Sequence, residues 1–144
     1  MSHVNPTDDD LRTLLTSATT IAMVGASANP EKPSYGIMQR MLAAGYRVIP
    51  VNPKEAEVLG QKAYASLADI PDRIDIVDVF RRSEDTPGIA DEAVAIGAKT
   101  LWLQLGVTND DAAARAKAGG LTVIMDKCIG ATHKALGIAA KIAS

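Results

Sequence analysis

Short, wholly apolar runs alternate along the chain with longer segments in which apolar residues recur every three or four positions. The short runs are typical of strands buried on both faces, and the longer segments are typical of helices that cover a sheet. The predicted strands are residues 21–25, 47–51, 74–80, 100–105 and 121–125, with a further short strand near 61–64. This alternation predicts an α/β fold with a doubly wound parallel sheet of about five strands, in the order 3-2-1-4-5, and with helices on both faces.

The predicted helices have identifiable first and last residues. Thr7 can cap an extra N-terminal helix whose first turn is acidic, and Asn109 can cap a later helix. Proline in the first turn and glycine after the last turn indicate two more helices. We expect the helices after the first to span residues 33–44, 86–96, 110–118 and 130–142, and residues 1–5 to form a frayed tail.

The chain has 144 residues, of which 47% are hydrophobic, and its formal net charge is -2. We expect a single domain over residues 1–144, and the near-neutral charge disfavours nucleic acid or an anionic membrane surface as a partner. No apolar run is long enough to span a membrane and no signal peptide opens the chain, so we expect a cytoplasmic protein. One cysteine, Cys128, and two histidines, His3 and His133, predict no metal site. A protein partner and a homo-oligomer are both compatible with this composition.

A ligand of a doubly wound sheet lies beyond the carboxyl ends of the strands, where the strand order reverses. In this sequence polar segments, several with glycine, follow the predicted strands at that edge. These segments are residues 25–27, 52–54, 80–82, 104–106 and 126–128. The sequence therefore predicts a binding site assembled from these five loops.

The loop after the first strand has the features of an anion site. Gly25 ends the strand, and small residues then lead to a helix N-terminus with free backbone N–H groups. Ser27, Lys32 and Ser34 add hydroxyls and a positive charge. The dinucleotide fingerprint would need glycines at positions 27 and 30, and the chain has serine and proline there. We therefore expect a pyrophosphate ligand other than NAD in its usual pose; a plain turn with a capping serine is the alternative.

The end of the second strand narrows the ligand further. NAD sites usually place Asp or Glu there to bind the ribose hydroxyls, but this chain has Asn52, Pro53 and Lys54. A lysine suits a phosphate on the ribose, and a proline offers a flat apolar wall to a base. NADP and coenzyme A (CoA) both carry such a phosphate. In the alternative interpretation Lys54 is an ordinary surface lysine, since two glutamates follow it closely.

Other candidate residues have competing structural roles. Arg81 and Arg82 can bind phosphate or form a solvated ion-pair cluster with the acidic residues that follow them. Trp102 alternates with leucines, which favours the core over stacking on a ligand. Cys128 precedes the last predicted helix, where a thiol is reactive, and the alternative is a buried, inert cysteine. His133 is the candidate base for it, and the alternative is a structural or surface histidine.

Six segments together resemble the stand-alone CoA-binding domain family, small Rossmann-like proteins similar to the N-terminal domain of the succinyl-CoA synthetase alpha subunit. The resemblance covers nearly the whole chain. The segments are VGAS at 24–27, KPSYG at 32–36, GYRVIPVNP at 45–53, DIVDVFR at 75–81, LWLQLG at 101–106 and VIMDKC at 123–128. Each segment is weak alone, but their order and spacing make the combination specific.

The resemblance implies CoA or an acyl-CoA as the cofactor. It implies that the pyrophosphate lies on the first of the five loops and the adenosine 3′-phosphate end on the second. The third loop would then flank the cofactor, and the fourth and fifth would lie toward the pantetheine arm. The expected cofactor-binding residues are Gly25, Ala26, Ser27, Lys32, Ser34, Asn52, Pro53, Lys54, Val79, Phe80, Gln104, Gly106 and Cys128.

We therefore expect a protein that binds CoA or an acyl-CoA and that is not an enzyme on its own. No catalytic constellation is found, and Thr132 stands where family members usually have an acidic residue before the histidine. The phosphohistidine of the synthetase lies in a further domain, so the resemblance does not imply thioester ligation by this chain. The alternative is an NADP-dependent oxidoreductase, which needs a catalytic Tyr/Lys or Ser group beyond the fourth or fifth strand. A third interpretation is a protein that carries thiols or acyl groups on Cys128.

Overall fold

A computed structural model describes residues 3–141 as a sheet with helices on both faces. The strands are β1 (Thr20–Val24), β2 (Arg47–Val51), β3 (Glu57–Val58), β4 (Gln61–Lys62), β5 (Ile76–Val79), β6 (Thr100–Leu103) and β7 (Thr122–Ile124). The helices are α1 (Asp8–Ser17), α2 (Pro33–Ala43), α3 (Thr86–Ala95), α4 (Asp110–Ala118) and α5 (Ile129–Ala135), with short 3-10 turns at Leu67–Asp69 and Ser83–Asp85. Within this described range, no helix is long and apolar enough to cross a membrane.

Five strands form one parallel sheet in the order β2-β1-β5-β6-β7, which confirms the predicted Rossmann-like α/β fold. The predicted order 3-2-1-4-5 is wrong, because the third strand of the sheet, β5, pairs with β1 rather than with β2. Strands β3 and β4 pair with each other as a hairpin, and one bridge between Tyr64 and Val51 lies beyond β2.

The apolar strands direct side chains alternately into two cores, one on each face of the sheet. One core lies under α3 and α4 and includes Val77 and Leu101, and the other lies under α1, α2 and α5 and includes Met23 and Trp102. The fully buried Trp102 donates from Nε1 to the Lys127 carbonyl at 2.9 Å, so it is a core residue as predicted. Helices α2 and α3 follow neighbouring strands but cover opposite faces. The carboxyl ends of β1 and β5 therefore form the switch point of the sheet.

The last helix is shorter than predicted. It ends at Ala135, and Gly137 then adopts a left-handed conformation with φ of 64°, so that residues 136–141 are not helical. This non-helical segment packs against the turn after α2, where the Lys141 amide donates to the Ala44 carbonyl at 2.7 Å. The predicted end of the helix, Ile142, lies outside the described residues.

The backbone at both edges of the sheet has a partner from outside the strands. Beyond β7, Nδ2 of Asn5 donates to the Met125 carbonyl at 2.8 Å, and Oδ1 of Asn5 accepts from the Met125 amide at 2.9 Å. Beside β2, the Tyr64 amide donates to the Pro50 carbonyl at 3.0 Å, and the Tyr64 carbonyl accepts from the Asn52 amide at 2.9 Å. The prediction of a frayed tail is therefore wrong for residues 3–5, since Asn5 ties them to the sheet; residues 1 and 2 lie outside the described range.

Candidate functional site

The chain turns sharply at Gly25, at the carboxyl end of β1. Gly25 has a φ of 88°, and its amide donates to the Val51 carbonyl at 2.9 Å. A Cβ atom there would lie 2.5 Å from the carbonyl oxygen of Phe80, which follows β5. Only glycine fits both the backbone angle and this close approach. Gly25 thus allows the loops after β1 and β5 to meet at the switch point.

Hydrogen bonds to its neighbours hold the loop after β1. Nδ2 of Asn52 donates to the Ala26 carbonyl at 2.8 Å, and the Ser27 amide donates to Oγ of Ser34 at 3.1 Å. The Ala28 amide donates to a carboxylate oxygen of Glu55 at 2.5 Å. In this last contact a backbone N–H of the loop binds a negatively charged oxygen, which is the kind of interaction that an anion-binding loop offers to its ligand.

The N-terminus of α2 follows this loop without a side chain to cap it. Lys32 occupies the capping position and makes no capping hydrogen bond, and Pro33 is the first helical residue. Such a terminus combines unsatisfied N–H groups with the positive end of the helix dipole. Together with the Lys32 ammonium, it makes this corner of the molecule suitable for a phosphate.

A cleft of about 720 Å³ opens between this helix terminus and the loops after β1, β5 and β6. Eight of the thirteen predicted cofactor-binding residues line it: Gly25, Ser27, Lys32, Ser34, Asn52, Phe80, Gln104 and Cys128. Its other lining residues are Pro33, Ile37, Arg81, Arg82, Leu105 and Val107. Ile37 was not predicted to line the site, because its spacing is that of a core residue of the helix. Leu105 lies in the predicted site loop 104–106, although the strand predicted over 100–105 in fact ends at Leu103.

The other five predicted residues do not line this cleft. Ala26 and Val79 are fully buried, because their side chains point into the cores below the sheet edge. Gly106 is exposed, and its amide donates to the Asp126 carboxylate at 2.7 Å. Lys54 is exposed, and its amide donates to Oδ1 of Asn52 at 2.9 Å. Pro53 lines a second cleft instead.

The second cleft, of about 390 Å³, lies across the switch point from the first. It is lined by Val24, Val51, Pro53, Ala65, Ser66, Leu67, Arg81, Asp85, Gly88, Ile89 and Glu92. Arg81 lines both clefts. The carboxyl edge of the sheet thus has two adjacent recesses, and one arginine lies between them.

Ion pairs hold the two arginines after β5. Arg81 lies 3.3 Å from Asp85, and Arg82 lies 3.3 Å from Glu84 and 3.4 Å from Asp85. The hydrogen bond from Arg82 is the main reason that the pKa of Asp85 lies below its usual value. The ion-pair cluster is therefore present, and both arginines also line the large cleft. Surface pairs of this kind are weak enough for a phosphate to compete with them.

The sequence profile of the CoA-binding domain family matches residues 19–134. The chain belongs to the CoA-binding domain family. The resemblance drawn from six sequence segments is thereby confirmed, and all the residues that line the large cleft lie within the matched range.

Three relatives illustrate the range of this CoA-binding domain family. Uncharacterized protein YneT of Bacillus subtilis is 44% identical over 129 residues, which cover 90% of this chain and 96% of that protein. The structure of a hypothetical protein from Pyrococcus horikoshii OT3 has a TM-score of 0.89 at 40% identity, and the match covers 94% of this chain and 99% of that chain. The alpha subunit of acetate–CoA ligase (ADP-forming) I from Pyrococcus furiosus is 34% identical over 87 residues, which are 56% of this chain but 19% of that subunit.

Cys128 and His133 occupy different environments in this CoA-binding domain. Cys128 is half-buried at the cap of α5, lines the large cleft, and accepts from the Ala131 amide at 3.5 Å between Sγ and nitrogen. His133 is 4% exposed, and its ring lies edge-on to that of Tyr46 with 5.8 Å between centroids. Burial, and then the charges of Arg40 and Lys141, lower the pKa of His133. His133 does not line the cleft, so the structure does not pair it with the cysteine.

One polar pair at the cleft was missed by the sequence analysis. Nε2 of Gln104 donates a hydrogen bond to Oδ1 of Asp78, a fully buried carboxyl on β5. Burial raises the pKa of Asp78 to about 8, although the hydrogen bond from Gln104 acts in the opposite direction. An aspartate within an apolar strand is the one sequence signal for this pair. Its partner is 26 residues away and meets it only because β5 pairs with β6.

Proposed function

We propose that this protein binds CoA or an acyl-CoA along the carboxyl edge of its sheet. The observation that carries the proposal is the large cleft, which runs from the uncapped N-terminus of α2 to Cys128. One end offers backbone N–H groups and lysine to phosphate, and the other end offers aliphatic side chains to a pantetheine arm. The similarity to part of an acetate–CoA ligase subunit supports CoA over other nucleotides.

The two clefts suggest how the parts of CoA are distributed. We place the pyrophosphate on the loop after β1, where it would take the Ala28 amide from the Glu55 carboxylate. The adenosine end would enter the small cleft, whose walls include Pro53 and Leu67, with its 3′-phosphate within reach of Lys54. The pantetheine arm would then follow the large cleft toward Cys128.

We propose a binding role rather than catalysis. A nucleophile in the cleft would need a base to activate it. Within residues 3–141, Oγ of Ser34 accepts from the Ser27 amide, Sγ of Cys128 accepts from the Ala131 amide, and neither has a histidine or carboxylate partner. The lining residues of the large cleft also include no tyrosine, which an NADP-dependent oxidoreductase of the Tyr/Lys type would use.

Calorimetric titration with CoA, 3′-dephospho-CoA, NADP and NAD tests this proposal. We expect CoA to bind most tightly and 3′-dephospho-CoA more weakly. The Lys54→Ala variant should reduce the difference between these two ligands, since a hydrogen bond to a charged group contributes about 1.5–3 kcal/mol. Lys117→Ala, which removes an exposed lysine of α4, is the matched control and should bind like the parent. Tighter binding of NADP than of CoA would contradict the proposal.

A second candidate function uses the thiol at the end of the cleft. Because Cys128 lines the cleft at the end assigned to the pantetheine arm, its thiolate is placed to attack the disulfide of CoA disulfide. A Cys128–S–S–CoA bond would form, and the second CoA would leave as its thiolate, so that no further oxidant is needed. We expect reversible trapping of CoA by this route rather than turnover.

Intact-mass measurement tests the trapping. After incubation with CoA disulfide we expect one CoA adduct per chain, which is lost on reduction and absent from Cys128→Ser. Glutathione disulfide is the control, because it has a similar reactive bond without the nucleotide, and it should react more slowly. A chain that binds CoA but forms no adduct would assign Cys128 a structural role only.

A further inference from the structure

Asp78 is a fully buried carboxyl beside the wall of the large cleft. It lies on β5, opposite Met23 of β1 and Trp102 of β6. Its Oδ1 accepts from Nε2 of Gln104, and its Oδ2 has no hydrogen-bond partner among residues 3–141. A buried polar atom without a partner costs folding free energy. An apolar residue of similar size would therefore suit the fold of this strand better.

The surroundings of Asp78 keep it uncharged. The titratable groups on the three helices that cover this face and at their caps are Asp8, Asp9, Asp10, Arg12, Lys32, Tyr35, Arg40, Cys128, His133 and Lys134. None of these forms an ion pair or a hydrogen bond with Asp78. A buried carboxyl without a cation beside it remains protonated at neutral pH. The interaction with Gln104 is therefore a bond between two neutral groups.

Gln104 connects this buried group to the cleft. It follows the end of β6, is 4% exposed, and lines the cleft between Phe80 and Leu105. Asp78 engages its Nε2, so the amide oxygen Oε1 is the atom that Gln104 can present to a ligand. Oε1 of Gln104 is not one of the fully buried side-chain atoms that have no hydrogen-bond partner. Because the Gln104 side chain is almost buried, a hydrogen bond to it is stronger than one in open water.

We propose that Asp78 is a positioning residue, which fixes the Gln104 amide so that its oxygen accepts from a neutral donor on the ligand. This inference rests on the proposed CoA function and specifies it. The pantetheine arm carries two amide N–H groups and a hydroxyl, and it ends in a thiol, so several neutral donors are available. A ligand without the arm gains nothing from the pair. Asp78 thereby contributes to the choice of ligand without contacting it.

Two substitutions at position 78 separate positioning from packing. Asp78→Asn keeps an oxygen that accepts from Gln104, and it should bind CoA like the parent. Asp78→Leu removes that acceptor, so its Kd for CoA should rise about tenfold, the value of one hydrogen bond in a buried site. The same variant removes the unpartnered Oδ2 of Asp78 but leaves Nε2 of Gln104 without a partner, so its stability should stay close to that of the parent. A purely structural role would instead change stability and binding in the same direction.

Gln104→Leu and the double variant complete the test, with 3′-phosphoadenosine 5′-diphosphate as the ligand that lacks the arm. Gln104→Leu should weaken CoA binding as much as Asp78→Leu does, and combining them should add little. The truncated ligand should bind all variants alike. Acetyl-CoA, which has no free thiol, identifies the donor: its binding follows that of CoA if the donor is an amide N–H or the hydroxyl of the arm, and is insensitive to the substitutions if the donor is the thiol.

The results that would overturn the inference differ from those that would overturn the proposed function. If the parent does not bind CoA at all, both are wrong. If the parent binds CoA and Asp78→Leu binds it equally well, or if the truncated ligand loses as much affinity as CoA does, Asp78 has no positioning role and the CoA function stands. If Asp78→Leu does not fold, Asp78→Val, which also lacks the acceptor for Gln104, gives the same decision.

Discussion

Gly25 is the position at which a single methyl group would have the largest effect on the site. Gly25→Ala combines a left-handed backbone with a Cβ atom 2.5 Å from the Phe80 carbonyl, and both loops of the switch point must then move. We expect a loss of about 2 kcal/mol or more in the free energy of unfolding, together with weaker CoA binding. Urea denaturation and calorimetry measure the two effects.

Gly36→Ala is the matched control for this substitution. Gly36 lies in α2, and a Cβ atom there would meet nothing within 4 Å. Alanine should therefore stabilise the helix by about 0.5–1 kcal/mol and leave the backbone at the switch point unchanged. Equal stability of the two variants would contradict the importance assigned to the close approach at Gly25.

The sequence allowed the polar residues of the site to be predicted better than its walls. Ser27, Lys32 and Asn52 stand out because a polar residue after an apolar strand has few structural reasons to be there. Ile37 does not stand out, since an apolar helical residue is normally a core residue. The contact of Asp78 with the site could not be predicted, because it depends on the pairing of β5 with β6, which the local sequence pattern does not show. The prediction for Val79 placed its side chain at the ligand, whereas the pleat of the strand directs it into the core.

The start of α2 is the element on which the proposed phosphate binding depends. Ser27→Asp would place a carboxylate at the cleft end of this uncapped helix, where the ligand's pyrophosphate is expected. Like charges there should abolish CoA binding by calorimetry. The fold should persist, because an aspartate can still accept from the Asn29 amide as Oγ of Ser27 does at 3.1 Å.

Ser27→Asn provides the control, since it has the same shape without the charge. We expect it to weaken CoA binding far less than the aspartate does. Raised salt should not restore binding to Ser27→Asp, because the two anions would be in contact rather than separated by solvent. Normal binding by the aspartate variant would place the pyrophosphate elsewhere in the molecule.

Element types were predicted more accurately than their ends and partners. Thr7 and Asn109 cap α1 and α4 as predicted, since capping depends on residues within one turn. The length of α5 was not predictable in this way, because residues 136–141 leave the helix to pack against the turn after α2. The short strand predicted near residues 61–64 contains β4, but its hairpin partner β3 was missed, because a strand of two residues is too short to show a period of two.

The stability of the whole molecule should depend on pH through two buried groups with opposite effects. Burial raises the pKa of Asp78 to about 8, so the folded chain retains a proton that the unfolded chain releases near pH 4, and stability falls as the pH rises from about 4 to 8. Burial lowers the pKa of His133, so the unfolded chain takes up a proton first, and stability falls as the pH drops below about 6.5.

Denaturation of the parent and of Asp78→Asn at pH 5 and pH 8.5 tests the first effect. Between these two pH values the free energy of unfolding of the variant should rise by roughly a few kcal/mol relative to that of the parent, because the variant has no proton to lose at position 78. Asp75→Asn is the contrasting control. Burial acts to raise the pKa of Asp75, but hydrogen bonds from Thr19 and Thr20 outweigh it and hold the pKa below its usual value, so this variant should lose stability at both pH values. A constant difference between the parent and Asp78→Asn would show that Asp78 is not protonated in the folded chain.

The general position of the site followed from the sequence because it is a property of the doubly wound sheet. Parallel strands place all their carboxyl ends at one edge, so the five predicted loops had to meet there whatever the detailed strand order. The predicted order placed β6 beside β1, whereas β5 lies between them, so the switch point remains at β1 but has a different neighbouring strand. The division into two clefts that share Arg81 was not predictable, since it depends on how the loop after β5 crosses that edge.

The hydrogen bonds of Asn5 and Tyr64 at the two edges of the sheet bear on aggregation. An open sheet normally exposes backbone donors and acceptors on its outer strands, to which another chain can add a strand. Here the side-chain amide of Asn5 pairs with the backbone just after β7, and Tyr64 pairs with the end of β2 around a proline that has no N–H to offer. Both outer strands are also short, with three and five residues. We therefore expect that little backbone at the carboxyl end of either margin is open for the addition of a strand from another copy.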